Sequence, residues 1–417
     1  MTMLVGERIG IEPGESVERT AAQVREWLAE HPPADWIRAP AGAPAPWRAG
    51  APDEEAYRAW YPTFAGSGLV VPGWPTDAFG LGLDPGQCQA VNRELRAAGV
   101  VRQLPLDLNR LGPTILQWGT PEQQQRFLPG IVAGTEPWTQ LFSEPGAGSD
   151  LPSLSTRAVR DGDEWVVTGQ KVWSSYAGWS KFGMLIARTD PEAPKRRGIT
   201  YFLIEMDQPG IEARPLVQMT GDAEFFEVFL DGARVPDVNR LGPVGRGWDV
   251  ARTTLAGERR SGTDGASPGS TRSLGALIDS RRATDGEGAG HVTDPVERQR
   301  LAALSVRRSV NSWTVQRLSR RRDAGTLQSS AGKLGVGAYA NGLRTAWVDL
   351  AGPHGTACEA DDRRQLRSRH DFLLQPSERI AGGSDEIQRN TLGENVLGLP
   401  REPDPFHERP WAEIPRS

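Results

Sequence analysis

Cysteine is almost missing from this 417-residue chain: Cys88 and Cys358 are the only two. Two cannot build a disulfide framework or a Cys-rich metal site. The five histidines, His31, His291, His354, His370 and His407, lack the short spacings of metal ligands, so no metal is expected. Lysine is as scarce. Of 48 basic residues only Lys171, Lys181, Lys195 and Lys333 are lysines. Beside 48 glycines and 33 prolines, that skew looks like GC-rich coding and says nothing about chemistry. No apolar run approaches the roughly 18 residues of a membrane span, so no membrane partner is expected. Residues 1–14 lack a basic stretch followed by an apolar one, so no signal peptide is expected. The net charge of −5 lacks the basic excess of a nucleic-acid binder. These absences leave a cytoplasmic protein of ordinary globular composition.

The length allows roughly two to four domains. Apolar residues at helical spacing (Val17, Ala21, Val24, Trp27, Leu28) predict a helix over Ser16–Glu30, stopped by Pro32-Pro33. Further helices are expected over Glu54–Phe64, Gln87–Ala98 and Pro121–Phe127, the last opened by Thr120 with Gln123 three residues on. The texture then changes. Glu164–Thr168, Phe182–Arg188, Ile199–Glu205 and Phe225–Leu230 are short, β-branched and aromatic, with turn signals such as Pro209-Gly210 between them. Helical spacing returns over Trp248–Arg260, Val296–Arg322, Ser329–Asp349 and Asp385–Leu397. The expected fold is therefore α+β: a helical domain over 1–135, a β domain over 136–240 and a helical domain over 241–417. A polar loop insertion near 261–294 interrupts the last, with Leu274–Arg282 as a possible helix inside it.

Two segments carry the chemistry. Leu141–Leu151 reads LFSEPGAGSDL. Its Gly146 and Gly148 free the backbone to approach a ligand, and Ser143, Ser149 and nearby N–H groups can bind a polar ring edge or a phosphate. An ordinary turn is the plain alternative. The run is neither the dinucleotide fingerprint nor a nucleoside-triphosphate loop. Gly169–Ser175 reads GQKVWSS. At strand spacing Trp173 and Ser175 share a face, where an indole could stack on a planar heterocycle. A core tryptophan is the alternative there.

Together, FSEPGAGSD and GQKVWSS resemble the acyl-CoA dehydrogenase family. The resemblance extends through TPEQQQRFLPGI, RGITYFLIEM, Met219–Asp237 and Ile380–Pro403, over about residues 15–405. It is nearest to actinobacterial members, including those of sterol side-chain degradation. It implies a helical domain, a β domain and a C-terminal helical bundle, with FAD as cofactor. Carried onto this chain, cofactor contacts fall on Gln140, Phe142, Ser143, Gly148, Ser149, Trp173, Ser175, Ser384 and Glu386. Asp349 and Gly352 stand where the family has QxxGGxG, which reaches the neighbouring subunit's FAD. Asp349 and Pro353 depart from that pattern, and the family's Arg-x-x-Phe-Gly run is absent, Arg281 and Arg282 being the nearest arginines.

The implied reaction removes the proton α to a thioester and passes a β-hydride to flavin N5, giving a 2-enoyl-CoA. Many members place the base at the position of Gly382; a minority place it on an earlier helix, before an arginine. Here that residue is Glu258, followed by Arg259. The alternative for Glu258 is a surface carboxylate paired with Arg259 or Arg260. Ser149, Arg259 and the Gly382 N–H are the implied substrate contacts. The implied partners are an acyl-CoA substrate, electron-transferring flavoprotein or a similar acceptor, and either a homo-oligomer (dimer or tetramer) or a heteromer with a homologous subunit. Two other functions stay open: a flavin monooxygenase or oxidase of the same fold, and a non-catalytic subunit of a heteromer. Arg317–Asp323 (RLSRRRD) is a solvated helix face or a contact for the 3′-phospho-ADP of CoA. Met219–Glu224 has a structural or pocket-edge role.

Overall fold

The computed structural model describes residues 7–33, 54–100, 102, 105–261, 273–284, 292–319, 325–357, 359 and 361–415. Five helices come first: α1 (Val17–Glu30), α2 (Glu54–Gly66), α3 (Pro85–Ala97), α4 (Pro105–Trp118) and α5 (Pro121–Val132). Their starts are set by side chains that satisfy the first free N–H groups. Ser16 Oγ accepts from Arg19 N on α1. Asp84 with Gln87 and Thr120 with Gln123 form reciprocal capping boxes on α3 and α5. The sequence does not predict α4, which carries Pro113 in its interior.

The strands follow: β1 (Trp138–Leu141), β2 (Arg157–Asp161), β3 (Glu164–Ser175), β4 (Phe182–Arg188), β5 (Ile199–Glu205), β6 (Ile211–Leu216), β7 (Phe225–Pro236) and β8 (Arg240–Leu241). They form one sheet in the order β6-β7-β3-β2-β4-β5-β8, with β1 parallel to β4. Inward positions of β3, β4, β5 and β7 build a continuous core, including Val167, Leu185, Phe202 and Val228. Helix α5 docks on this layer in two ways. Gln123 Nε2 donates to Val238 O (2.8 Å) and Arg240 O (2.9 Å). The Phe127 ring meets Trp138 and Phe182 edge-on.

The remaining helices are α6 (Gly247–Ser261), α7 (Leu274–Thr284), α8 (Pro295–Ser319), α9 (Gly325–Leu350), α10 (Pro353–Thr356), α11 (Arg363–Glu378) and α12 (Asp385–Asn395). The chain divides into two compact units. One holds residues 1–215, 225–254 and 408–417; the other holds 216–224 and 255–407. The second unit has its own core, with Leu277, Leu301, Leu304, Leu343 and Trp347 at its centre. Its helix α11 is absent from the sequence expectations. The tip of the β6–β7 hairpin belongs to this unit, where Asp222 Oδ2 lies 2.6 Å from His370 Nε2 on α11. Of the expected loop insertion near 261–294, residues 262–272 and 285–291 lie outside the described residues, as does most of RLSRRRD, while the helix expected inside it is α7. Among the described residues no helix is long and apolar enough to cross a membrane.

Candidate active site

In the first unit the two motif segments meet at the ends of β1 and β3. Glu144 and Ala147 exchange backbone hydrogen bonds of 3.0 Å each, closing a tight turn around Pro145-Gly146. The turn is fastened from behind. Lys171, wholly buried on β3, donates through Nζ to Glu144 Oε1 (2.8 Å) and Phe142 O (3.0 Å). The Glu144 carboxylate also accepts from Ser155 N (2.6 Å) and Thr156 N (2.9 Å). Burial works to raise the Glu144 carboxyl. The Lys171 ammonium and these N–H donors outweigh it and hold the group below the ordinary carboxylate range.

On the outer side the turn is bare. Gly148 and Ser149 are exposed and Ser143 is half-buried. Gly146 and Gly148 have ordinary negative φ, and a Cβ on either would meet nothing within 4 Å. Neither backbone conformation nor packing among the described residues demands glycine there, so the backbone is open to close approach.

The end of β3 adds an indole. Lys171 sits opposite Val228 and Ser174 opposite Phe226, so three steps on β3 match two on β7. This bulge returns Lys171 and Ser174 to the same buried face. Trp173 absorbs the extra residue at φ +61°, and its side chain is 59% exposed, so it is not a core tryptophan. Ser175 pairs with Phe225, and the Phe225 ring meets Trp173 edge-on at 5.9 Å. Among the described residues three non-glycine residues have positive φ, and two of them, Trp173 and Tyr176, fall in this short stretch. Such backbone strain gathers where a function requires it.

Two further hydrogen bonds stitch the segments together: Val172 N to Ser143 O (2.9 Å) and Thr139 Oγ1 to Ser175 O (2.9 Å). Gln140, Ser143, Gly148, Ser149, Trp173 and Ser175 therefore belong to one neighbourhood. The Phe142 side chain does not share it. It is buried, edge-on to Tyr201, which leaves its backbone as the part that can serve a ligand. Gln140 Oε1 accepts from Arg110 on α4 (3.4 Å). One turn earlier on α4, Asp107 accepts from Trp138 N (3.2 Å), and burial pushes its carboxyl up to about 7.

Helix α6 is anchored by hydroxyls. Thr114 Oγ1 donates to Arg110 O (2.7 Å) and lies 3.0 Å from Thr254 Oγ1, which lies 3.3 Å from the Tyr201 hydroxyl. Since Thr114 has spent its only hydrogen, Thr254 donates to Thr114 and Tyr201 donates to Thr254. Glu258 follows Thr254 by one turn of α6. The side chains of Glu258 and Arg259 lie outside the described residues.

In the second unit, Gly382, Ser384 and Glu386 occupy the turn that enters α12. Gly382 and Gly383 have φ of +68° and +90°, which glycine adopts without strain. Ser384 caps α12 by accepting from Ile387 N (3.4 Å). Glu386 is exposed, 3.6 Å from Arg389. Asp349 and Gly352 lie elsewhere. Lys333, which reaches the glycine turn, and Asp349 are 16 residues apart on α9, about 24 Å at 1.5 Å per residue. Asp349 Oδ2 accepts from Arg300 (2.6 Å), and Arg281 makes a forked pair with Glu297 at 2.9 Å on both arms.

Glu144, Lys171, Lys333 and Gln388 are the residues that sequence reasoning passed over. Glu144, Lys171 and Gln388 lie inside the quoted segments, and Lys171 and Lys333 are two of the four lysines in the chain.

Models of the acyl-CoA dehydrogenase N-terminal, middle and C-terminal domains match residues 18–135, 139–232 and 245–397. The chain belongs to the acyl-CoA dehydrogenase family. Its members are flavoprotein oxidoreductases acting on CH–CH groups. Acyl-CoA dehydrogenase IpdE1 of Mycobacterium tuberculosis is 39% identical over 395 residues, 93% of this chain and 99% of that one. Acyl-CoA dehydrogenase FadE34 of the same organism is 40% identical over 342 residues, 81% of this chain and 45% of its own. Among solved structures, a chain of the ChsE4–ChsE5 complex from Mycobacterium tuberculosis aligns over 95% of this chain and all of its own, at 26% identity and a TM-score of 0.73. The Tcur3481–Tcur3483 steroid ACAD aligns over 93% of this chain and 98% of its own, at 25% identity and a TM-score of 0.72.

Proposed function

We propose that this acyl-CoA dehydrogenase binds FAD and converts an acyl-CoA to its 2-enoyl-CoA, with Glu258 as the base that takes the α-proton. The observation that carries the reading is the bare outer side of the Ser143–Ser149 turn beside the exposed Trp173 indole. Open glycines, two serines and a flat aromatic face fit a planar, polar-edged heterocycle joined to a phosphate-bearing chain. When bound, FAD supplies the acceptor for the hydride that leaves the β-carbon. Ser143 and Ser149 donate to its polar atoms, Trp173 and Ser175 cover the ring, and Ser384 and Glu386 serve its ribityl and phosphate part. The Gly382 N–H and Arg259 orient the thioester so that its α-proton faces Glu258.

The acceptor that reoxidises the protein is electron-transferring flavoprotein or a similar carrier. The assembly is a homo-oligomer or a heteromer with a homologous subunit. Arg281 and Asp349 favour the heteromer as a second reading. Both are paired within the chain, with Glu297 and Arg300. Two similar structures bear two-chain names, ChsE4–ChsE5 and Tcur3481–Tcur3483. Expression of the chain alone, with solution mass and FAD content, separates the two assemblies: a colourless monomer points to the heteromer.

The reaction itself is tested by anaerobic mixing of the FAD-loaded protein with straight-chain, branched and steroid side-chain acyl-CoAs. Bleaching of the flavin without oxygen or added reductant is expected for at least one. Reduction only by an added reductant, followed by reaction with oxygen, would favour a monooxygenase; bleaching by the thioester followed by fast reoxidation in air would favour an oxidase.

A further inference from the structure

The turn that enters α12 is held by its carbonyls. Lys333, largely buried on α9, donates through Nζ to Gly383 O. Gln388, wholly buried on α12, donates through Nε2 to Gly382 O (3.2 Å) and Gly383 O (3.4 Å). A Cβ at Gly383 would lie 2.6 Å from Gln388 Nε2, so glycine there lets this side chain reach both carbonyls. Asp385, buried at the first position of α12, lies 3.9 Å from Lys333 Nζ and accepts from Arg379 Nε (2.6 Å). Lys333 thus keeps a carboxylate nearby while its hydrogen bond goes to the backbone.

Peptide planarity turns this clamp into a statement about donors. In a trans peptide the C=O of one residue and the N–H of the next point in opposite directions. Carbonyls 382 and 383 converge on one Gln388 nitrogen, so the N–H groups of Gly383 and Ser384 both point away from Gln388 and Lys333. Neither N–H, nor that of Gly382, has an acceptor among the described residues. The ammonium on Gly383 O also polarises the peptide whose N–H belongs to Ser384.

We propose that Lys333 and Gln388 are positioning residues that present the Gly383 and Ser384 N–H groups, beside that of Gly382, as donors to the thioester oxygen as the α-proton leaves. This rests on the acyl-CoA dehydrogenase reading above. The Gly382 N–H alone is one donor; the clamp turns the next two N–H groups to the side away from Gln388. Such a set can follow the oxygen as charge develops on it, without any side chain moving.

The test uses the full-length, FAD-loaded protein and the acyl-CoA that bleaches it. Lys333→Met and Lys333→Arg are compared with wild type in three measurements: the anaerobic reduction rate at saturating thioester, the half-saturating concentration, and amide exchange of the 380–384 segment without FAD or substrate. Lys333→Met is expected to exchange faster in that segment while keeping FAD. Its saturating rate should fall by about 10- to 100-fold, below the loss seen for an oxyanion donor itself. Half-saturation should move by less than about threefold, and Lys333→Arg should recover most of the rate. If Lys333→Met does not fold, Gln388→Met carries the same expectations. A Lys333→Met rate equal to wild type would overturn this inference alone. So would equal losses of FAD and thermal stability in Met and Arg variants, the mark of a purely structural lysine. A wild type that no thioester bleaches would remove the functional reading, and this inference with it.

Discussion

Two turns that the proposed function uses are each held by one of the chain's rare lysines, but the lysines do opposite jobs. Behind the Ser143–Ser149 turn, Lys171 neutralises a carboxylate that belongs to the turn itself, and both groups are buried. Behind the Gly382–Ser384 turn, Lys333 holds a neutral carbonyl, and the conformation comes from two glycines at positive φ. Removing Lys171 strands a buried charge. Removing Lys333 takes a donor from a carbonyl that Gln388 still reaches, while Arg379 remains on Asp385. The sheet-borne turn is thus locked as a condition of folding, whereas the helix-entry turn is tuned on an already folded unit. Stability should report the first lysine, and turnover the second.

The largest stability effect is expected for Lys171→Met. An uncompensated buried carboxylate costs about 3–5 kcal/mol, read as a fall in denaturation midpoint. The double variant Lys171→Met, Glu144→Gln should recover part of it, since the stranded charge goes too. The same pair sets an acid limit. The folded Glu144 carboxyl lies below its unfolded value, so its contribution is present above the ordinary carboxylate range and is lost as pH falls through the folded value. Glu144→Gln should therefore flatten the stability profile on the acid side.

Asp107 should behave in the opposite sense. Its folded carboxyl sits near 7, above the unfolded value of 3.8, so stability drains away as pH rises between those two values. Asp107→Asn keeps an acceptor for Trp138 N and should stabilise the protein at pH 8 by on the order of 2–4 kcal/mol, with little change at pH 4. Thermal denaturation at the two pH values checks both halves. Lys333→Met should cost only about 1 kcal/mol of stability; a loss matching that of Lys171→Met would erase the contrast between the two turns. Trp173→Ala comes last. The indole is exposed and should leave the fold intact while weakening FAD about 3- to 10-fold, as befits one stacked ring. Flavin titration of the refolded apoprotein measures it, and unchanged affinity would take Trp173 out of the site.

Much of the architecture was legible because local chemistry announces it. The caps at Ser16 and Thr120 and the aromatic, β-branched runs of β4 and β5 read directly. Helix α4 was hidden by Gly112 and Pro113, residues that oppose helices locally and are overridden by burial of Leu108, Leu111 and Ile115. Helix α11 was hidden because four arginines, Arg363, Arg364, Arg367 and Arg369, dilute its apolar spacing. At the site, the motifs located the bare turn, but the bulge that exposes Trp173 depends on pairing with β7, which no local pattern encodes. The lysines teach the same lesson. Read as codon usage, their scarcity carried no chemistry. Yet Lys181 pairs with Glu136 (2.8 Å), Lys195 with Asp150 (2.5 Å), and the other two hold the turns. At the two turns the compact ammonium of lysine fits a buried site.

Glu258→Gln tests the functional account most directly. The variant, loaded with FAD and mixed without oxygen with the acyl-CoA that bleaches wild type, should bind the thioester and keep its flavin. Its reduction should slow by about 10²–10⁴, the contribution of one acid–base group. Reduction at the wild-type rate would place the base elsewhere and contradict the account.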